Sequence, residues 1–297
     1  MLTYLRLKNF RSFSDVFLDL RGKRGEPKKA VFIYGENGSG KSNLMLALSF
    51  LKRSLMTMFN QKSMKELFEE LESNEELKTE RDKLPQNLLN KMKFKTLYPI
   101  SDLIENNRMI GTDQPMFLEY GFRIDGADGS YFMEFSNDRI VREELSYTIT
   151  DRKGIIFSID ADKLYLSPTV FFDTDYKEEL KDNISKYWGK HSFMAILYNE
   201  LIEKNLEYVF SRIGETVIMV INWFNSLSIL CKSGDDEKVQ PTTRMRFRRN
   251  LENGTISSQN DRELRAGEAA LNTFFTQIYS DVKVVYYSFV PEKNGFH

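Results

Sequence analysis

Hydrophobic and polar residues alternate in two parts of the chain, and this alternation predicts β-strands. Residues 2–20 read LTYLRLKNF, then a turn at RSFSD, then VFLDL, which predicts an antiparallel hairpin. Residues 115–160 alternate in the same way between Gly-rich or Asn-Asp turns, which predicts three or four further antiparallel strands. The apolar run AVFIY, residues 30–34, has no polar interruption and is typical of a buried strand.

Other segments place their apolar residues at helical spacing. Leucines at positions 44, 48 and 51 predict a helix that begins at or near Gly40. Residues 63–83 are dense in Glu and Lys, which is typical of a helix with a solvated face. Residues 176–231 are expected to be largely helical, with an apolar stripe that we assign to the core: Phe193, Met194, Leu197, Leu201 and Ile202.

The stretch GENGSGKS, residues 35–42, joins the predicted buried strand to the helix after it. It fits G-x-x-x-x-G-K-[ST] in the strand–loop–helix context that this pattern requires. Glycines let backbone N–H groups approach phosphate oxygens, and a helix start adds unpaired donors and a positive dipole end. We therefore predict a nucleotide-phosphate site with these contact residues: Gly35, Asn37, Gly38, Ser39, Gly40, Lys41, Ser42 and Asn43.

Two of these residues have distinct predicted roles. Lys41 is expected to reach the β- and γ-phosphates and is the predicted catalytic residue, while the Ser42 hydroxyl is expected to ligate Mg²⁺. Residues 1–53 contain 11 Lys/Arg against 4 Asp/Glu, a local positive charge that suits a polyphosphate. ATP and Mg²⁺ are thus the predicted cofactors.

Composition narrows the remaining possibilities. The 297 residues, 41% of them hydrophobic, suffice for one large or two modest domains, and the net charge of −1 favours neither nucleic acid nor an acidic membrane. A single cysteine, Cys231, excludes an internal disulfide and predicts a reducing, cytoplasmic setting. The longest uncharged run, residues 216–231, is too short to span a membrane and predicts a buried helix. The two histidines, His191 and His297, do not show the close spacing of zinc ligands.

The N-terminal motifs resemble a known group of proteins. YLRLKNFRSFSDVFLDL followed by FIYGENGSGKSNLMLAL resembles the start of ATPases of the RecF/SMC/ABC head type, with particular likeness to stand-alone bacterial AAA-type proteins related to the OLD family. PMFLEYGFRIDGADGSYFMEFSNDRIVREELSY resembles the antiparallel strand insert of that group. The resemblance implies an α/β P-loop NTPase fold, ABC/SMC-head-like, with an antiparallel β insert and a helical subdomain. It also implies that Asn9 and Arg11 are secondary nucleotide contacts.

Five segments are expected on this basis. Residues 1–60 would form the P-loop core with its hairpin, and residues 61–112 a charged helical insert. Residues 113–165 would form the antiparallel β insert that returns to the core, and residues 166–235 the helical subdomain. Residues 236–297 would be a connector, a helix and a strand leading towards the C-terminal half of the ATPase.

The resemblance implies an ATP-binding and ATP-hydrolysing switch in an anti-phage defence or DNA-maintenance system. Two heads would sandwich ATP in a homodimer or higher oligomer and signal to an effector protein or to DNA. Such heads also need a signature loop, a Walker B strand ending in Asp-Glu, and a switch histidine. Asp160 and Asp173 end apolar runs without that pair, and LRAGEAAL, residues 264–271, lacks the signature serine. The missing elements are expected beyond His297 or in another chain.

Two alternatives remain open. A nucleotide-binding scaffold would hold ATP without turnover and would assemble or restrain a partner. A nucleotide kinase would use the same loop but would need a compact core with an arginine-bearing lid. A basic cluster around Phe247 is expected to be a charged connector dispensable for ATP binding, with nucleic-acid contact as its alternative: Arg244, Arg246, Arg248 and Arg249.

Overall fold

Seven strands form a single antiparallel sheet in a mixed α/β structure. The computed structural model describes residues 1–73, 99–149, 152–204 and 206–229, which all belong to one compact unit, Met1–Cys231. The strands are β1 (Leu2–Phe10), β2 (Phe13–Asp19), β3 (Met116–Ile124), β4 (Ala127–Phe135), β5 (Ile140–Ile149), β6 (Arg152–Asp160) and β7 (Leu164–Leu166). The described helices are α1 (Lys41–Leu55), α2 (Thr57–Ser73), α3 (Pro99–Asn107), α4 (Thr174–Tyr187), α5 (Phe193–Glu203), α6 (Leu206–Phe210) and α7 (Glu215–Ser226).

The order of strands across the sheet is β2-β1-β3-β4-β5-β6-β7. The N-terminal hairpin is confirmed, because β1 pairs with β2 around a turn that joins Phe10 to Phe13. The antiparallel strands predicted within residues 115–160 are also confirmed, and β3 pairs directly with β1, with Leu5 opposite Tyr120. The hairpin and the later strands therefore share one sheet, while the five-segment division stays a prediction.

One face of the sheet is covered by helices, and the other is half-exposed. Strand side chains alternate between the two faces, so the buried residues of neighbouring strands line up on the covered side. On that side the Tyr120 hydroxyl donates to the Ala47 carbonyl of α1 at 2.7 Å. The Phe122 ring meets Phe224 of α7, with centroids 5.2 Å apart, and further along the sheet a phenylalanine of β6 packs on α5. These contacts place α1, α5 and α7 on the same face.

The apolar stripe predicted for the helical segment is mostly buried. Phe193, Met194, Leu197 and Leu201 of α5 lie in the core, whereas the side chain of Ile202 is 45% exposed. Ile202 follows Leu201 directly, and one residue turns a helix by about 100°, which carries the next side chain off the buried face. α7 occupies most of the uncharged run at residues 216–231, as predicted. Among the described helices, none has the length and apolar character needed to cross a membrane.

The predicted strand before the phosphate loop is not formed. Residues 30–36 are neither helix nor strand, and the side chains of Phe32 and Tyr34 are 77% and 86% exposed. A strand needs a neighbour to hydrogen-bond its backbone, and within the described ranges no strand pairs with this segment. The prediction was therefore wrong for this structure, because an apolar run indicates burial without providing a partner strand.

A fully buried carboxylate, that of Glu143 in β5, ties the sheet to the start of α5. Its oxygens accept hydrogen bonds from the Tyr131 hydroxyl at 2.7 Å and the Trp188 Nε1 at 2.9 Å. They also accept from the backbone N–H groups of Phe193 and Met194, at 2.7 and 3.3 Å. Burial raises the pKa of Glu143, and the four donors oppose that rise by favouring the charged form.

His191 is buried where α2 begins and should make stability depend on pH. Its Nδ1 lies 3.0 Å from the Thr57 hydroxyl, and its Nε2 lies 2.8 Å from Oε1 of Gln61. Burial, with a smaller effect from Lys190, lowers the pKa of His191 from 6.5 to about 4. Because protonation then favours the unfolded chain, this stability is fully present above the unfolded pKa and is lost as the pH falls towards 4.

Between about pH 7 and pH 4 we expect this effect to remove roughly 3 kcal/mol of unfolding free energy. Urea unfolding of the wild type and of His191→Gln across this range measures it, because the variant keeps a polar side chain but has no titrating ring. The wild type should lose stability more steeply than the variant as the pH falls. Parallel pH profiles for the two proteins would contradict the expectation.

Candidate phosphate-binding site

The predicted phosphate loop, residues 35–40, leads directly into the N-terminus of α1. Gly40 is the N-cap residue, with φ of 91°, and no side chain caps the first turn. The first turn also contains no acidic residue, so no carboxylate of that turn repels an incoming anion. Gly38 likewise has a positive φ of 82°, which a residue with a Cβ adopts only under strain. The helix start thus offers backbone donors and a positive dipole end to a phosphate.

Lys41 folds back over this loop. Its ammonium donates to the backbone carbonyls of Gly35 and Glu36, at 2.6 and 2.5 Å, and lies 3.3 Å from the Ser39 hydroxyl. Carbonyl oxygens are the same kind of acceptor as phosphate oxygens but carry no net charge. A bound phosphate can therefore replace them as the partner of a cation that is already in place.

The remaining predicted contact residues of the loop face solvent. Asn37, Gly38 and Ser39 are exposed, and so is Ser42 in the first turn of α1. An exposed hydroxyl beside the lysine is suited to a hard cation such as Mg²⁺. In the described part of the chain, no three His, Cys, Asp or Glu residues are grouped so that they could hold a metal ion by themselves. A metal at this loop would thus depend on Ser42 together with phosphate oxygens.

The turn of the N-terminal hairpin packs against the start of α1. The Asn43 side-chain amide donates to the Ser12 hydroxyl at 2.7 Å. The Phe13 ring lies so close to Gly40 that a Cβ added there would meet ring carbons at 2.6 and 2.7 Å. Asn43, predicted as a nucleotide contact, lies next to the loop, but its side chain is hydrogen-bonded to the hairpin turn.

Gly40→Ala should therefore destabilise the protein more than Gly38→Ala. Both positions have positive φ, so each substitution costs about 1 kcal/mol of backbone strain. Only Gly40 has Phe13 in the space of the new Cβ, since nothing lies within 4 Å of the corresponding point at Gly38. Overpacking adds roughly 1–3 kcal/mol. Urea unfolding measures both variants.

A second substitution separates the two effects at Gly40. Adding Phe13→Ala to Gly40→Ala, with Phe13→Ala alone as the reference, should bring the loss down to that of Gly38→Ala. The ring contact would not be responsible if Gly40→Ala remained the more harmful change after Phe13 was removed.

Asn9 lies near the end of β1 and Arg11 lies within the same turn, and both have a left-handed backbone, with φ of 50° and 51°. The Asn9 amide donates to the Pro115 carbonyl at 2.9 Å, so its side chain is engaged within the fold. Arg11 donates from Nε to Oδ1 of Asn107 at 2.9 Å. Arg11 directly precedes Ser12 and Phe13 in the chain, and these two residues contact Asn43 and Gly40 at the start of α1. Nucleotide contact by Asn9 and Arg11 stays a prediction.

The carboxylates that end apolar runs have local structural roles. Asp160 accepts from the backbone N–H groups of Asp162 and Lys163, at 2.9 and 2.8 Å, and closes the turn after β6. Asp173 is the N-cap of α4 and accepts from the Tyr176 N–H at 2.8 Å. The arginine cluster at residues 244–249, the segment 264–271, Cys231 and His297 lie outside the described residues.

A cavity of about 590 Å³ lies beside α3 rather than at the phosphate loop. Its lining includes Glu105, Asp113 and Asp138 but only one basic residue, Arg108. An excess of carboxylates repels polyphosphates, so the charge of this cavity does not suit a nucleotide's phosphates. The loop at residues 35–42 remains the candidate phosphate site.

Sequence reasoning missed three residues that shape the site: Ser12, Phe13 and Asn107. Ser12 and Phe13 directly follow Arg11 in the RSF stretch, so their position beside a predicted contact was a usable signal. Asn107 lies 96 residues from Arg11 along the chain, and no local pattern connects the two.

Comparison with known families gives one match, at the N-terminal end of the chain. Residues 4–52 match a family model described as an AAA domain. The match spans both strands of the hairpin, the phosphate loop and most of α1. No curated protein matches the chain. AAA domains are nucleotide-binding ATPase domains, so the match supports nucleotide binding by this N-terminal region.

Proposed function

We propose that this protein is an ATP-binding and ATP-hydrolysing switch of the ABC/SMC-head type, with its phosphate site at residues 35–42. The observation that carries the proposal is Lys41, which stands at an uncapped helix N-terminus with its ammonium against loop carbonyls. The AAA-domain match at residues 4–52 supports it independently of the geometry.

Each loop residue has a defined task in this proposal. Backbone N–H groups at the start of α1 bind phosphate oxygens, and Lys41 exchanges its two carbonyl partners for the β- and γ-phosphates. Ser42 holds Mg²⁺, which would neutralise charge that develops on the phosphates during hydrolysis. Arg11 adds a second cation from the neighbouring turn.

The biological setting is proposed from the resemblance of the N-terminal motifs. Two heads would close on ATP in a homodimer or higher oligomer and pass the closure to an effector protein or to DNA. The setting would be the cytoplasm, in anti-phage defence or DNA maintenance. In the same proposal, further catalytic elements would come from another segment or another chain.

A nucleotide-binding scaffold without turnover is the second candidate. The observation that favours it is that Asp160 and Asp173 accept local backbone hydrogen bonds. The carboxylates that follow the apolar runs are therefore already engaged in the fold. Such a protein would use the same phosphate loop and would differ only in the lack of hydrolysis.

Calorimetric titration with ATP, ADP and AMP, with Mg²⁺ and with a chelator, tests the phosphate site. ATP should bind most tightly with Mg²⁺, and AMP should bind at least a hundredfold more weakly, because it lacks the phosphates that Lys41 would contact. Equal affinity for ATP and AMP would contradict the assignment. Phosphate release with and without DNA then separates the switch from the scaffold, and phosphate transfer to AMP would identify a kinase.

A further inference from the structure

Arg11 occupies a strained position at the tip of the hairpin. Its left-handed φ of 51° is a strained conformation that a residue with a side chain rarely adopts. The surrounding contacts hold it there, since its backbone N–H donates to the Asn107 carbonyl at 2.7 Å. The Met109 N–H likewise donates to the Asn9 carbonyl at 2.8 Å. The end of α3 thus fixes the backbone of this turn.

The side chain of Asn107 is fixed in turn. Asn107 is 4% exposed, its Oδ1 accepts from the Arg11 Nε at 2.9 Å, and its Nδ2 donates to the Leu103 carbonyl at 2.9 Å. Both ends of the amide are used, so a flipped amide would turn its N–H₂ towards the guanidinium and lose both bonds. The amide is therefore a rigid support for Arg11.

The support carries no charge, in contrast to the partners of Arg21 and Arg123. Arg21 pairs with Asp19, and Arg123 pairs with Asp128, each through a carboxylate within 3 Å. Within the described ranges no carboxylate forms an ion pair with Arg11. A neutral acceptor orients a cation without neutralising it, which preserves its attraction for an anion.

We propose that Asn107 is a positioning residue of the phosphate site: it holds Arg11 by Nε so that the two Nη groups face a polyphosphate bound at residues 35–42. The inference rests on the proposed nucleotide binding. It follows from the path of contacts that runs from α3 through Asn107 to Arg11, and from the next residue, Ser12, to Asn43 in the first turn of α1. The class of ligand is a nucleoside triphosphate, since the loop and Arg11 together offer two separate cations.

A double-mutant cycle tests this role. ATP affinity is measured by calorimetry for the wild type, Arg11→Ala, Asn107→Ala and the double variant. Each single substitution should weaken ATP binding about tenfold, and the double variant should bind no more weakly than Arg11→Ala. A merely structural residue would weaken binding by the same factor with or without Arg11. That additive result, or an unchanged affinity in Asn107→Ala, would overturn the proposal.

Asn107→Asp provides a second test, and it remains informative if Asn107→Ala does not fold. Aspartate can accept from the same Nε, but its charge would neutralise Arg11, so ATP affinity should fall about tenfold while AMP affinity changes little. An ATP affinity equal to that of the wild type would contradict the importance of a neutral support. Failure of the wild type to bind ATP would refute the proposed function itself, which separates the two conclusions.

Discussion

Lys41→Ala should lower ATP affinity by at least a hundredfold, to the point where calorimetry detects no binding, and should leave the fold intact. A charge-assisted contact contributes roughly 1.5–3 kcal/mol, and Lys41 is placed to make one with each of the β- and γ-phosphates. The fold should survive because, among the described residues, the ammonium contacts only the exposed loop, at Gly35, Glu36 and Ser39. Titration with ATP and Mg²⁺ measures the loss, and thermal unfolding checks the fold.

Lys29→Ala is the matched control for this experiment. Lys29 is exposed and belongs to the same basic N-terminal region, but it lies before the phosphate loop. Its removal should change ATP affinity less than threefold, since an exposed charge at a distance is largely screened by salt. If a folded Lys41→Ala protein bound ATP as tightly as Lys29→Ala, the phosphate loop would be wrongly assigned.

Glu143→Ala should destabilise the protein by about 3–5 kcal/mol, a large fraction of the roughly 5–15 kcal/mol that stabilises a typical native protein. The substitution leaves four buried donors without an acceptor, those of Tyr131, Trp188, Phe193 and Met194. Each unsatisfied buried donor costs about 1–3 kcal/mol, and relaxation or a water molecule recovers part of the total. The same hydrogen bonds join β5 to the start of α5, so their loss should also weaken the packing between these two elements. Urea denaturation measures the change in unfolding free energy.

Glu134→Ala is the control, because it removes the same side chain from the neighbouring strand. Glu134 lies opposite Arg142 on the half-exposed face of the sheet, where water can hydrate any group left behind. Its removal should cost less than 1 kcal/mol. If the two variants lost similar amounts of unfolding free energy, the buried hydrogen bonds of Glu143 would contribute no more to stability than an exposed glutamate does.

The hairpin and the start of α1 could be predicted because their signals are local. Alternation around Leu5 and Leu7 follows from the two-residue repeat of a strand, and the Gly-Lys-Ser order at residues 40–42 matches a pattern in which a helix begins directly after a glycine-rich loop. The turn between β3 and β4 was also predictable, since Asp125 and Gly126 supply the positive φ that it needs. Each of these features depends on residues that are close together along the chain.

Other features depended on partners that are distant in the sequence. Residues 30–34 have the composition of a buried strand, yet only a neighbouring strand can supply the hydrogen bonds that make one, and none among the described strands does. Glu143 looked like one polar position in an alternating strand, and only the packing of α5 made it a buried acceptor of four hydrogen bonds. Asn107 and Arg11 meet only because α3 packs against the hairpin turn. The local pattern thus determined the N-terminal hairpin, the strands within residues 115–160 and the start of α1. Tertiary packing decided which segment finds a partner strand and which charges are buried or paired, because those depend on contacts across the whole fold.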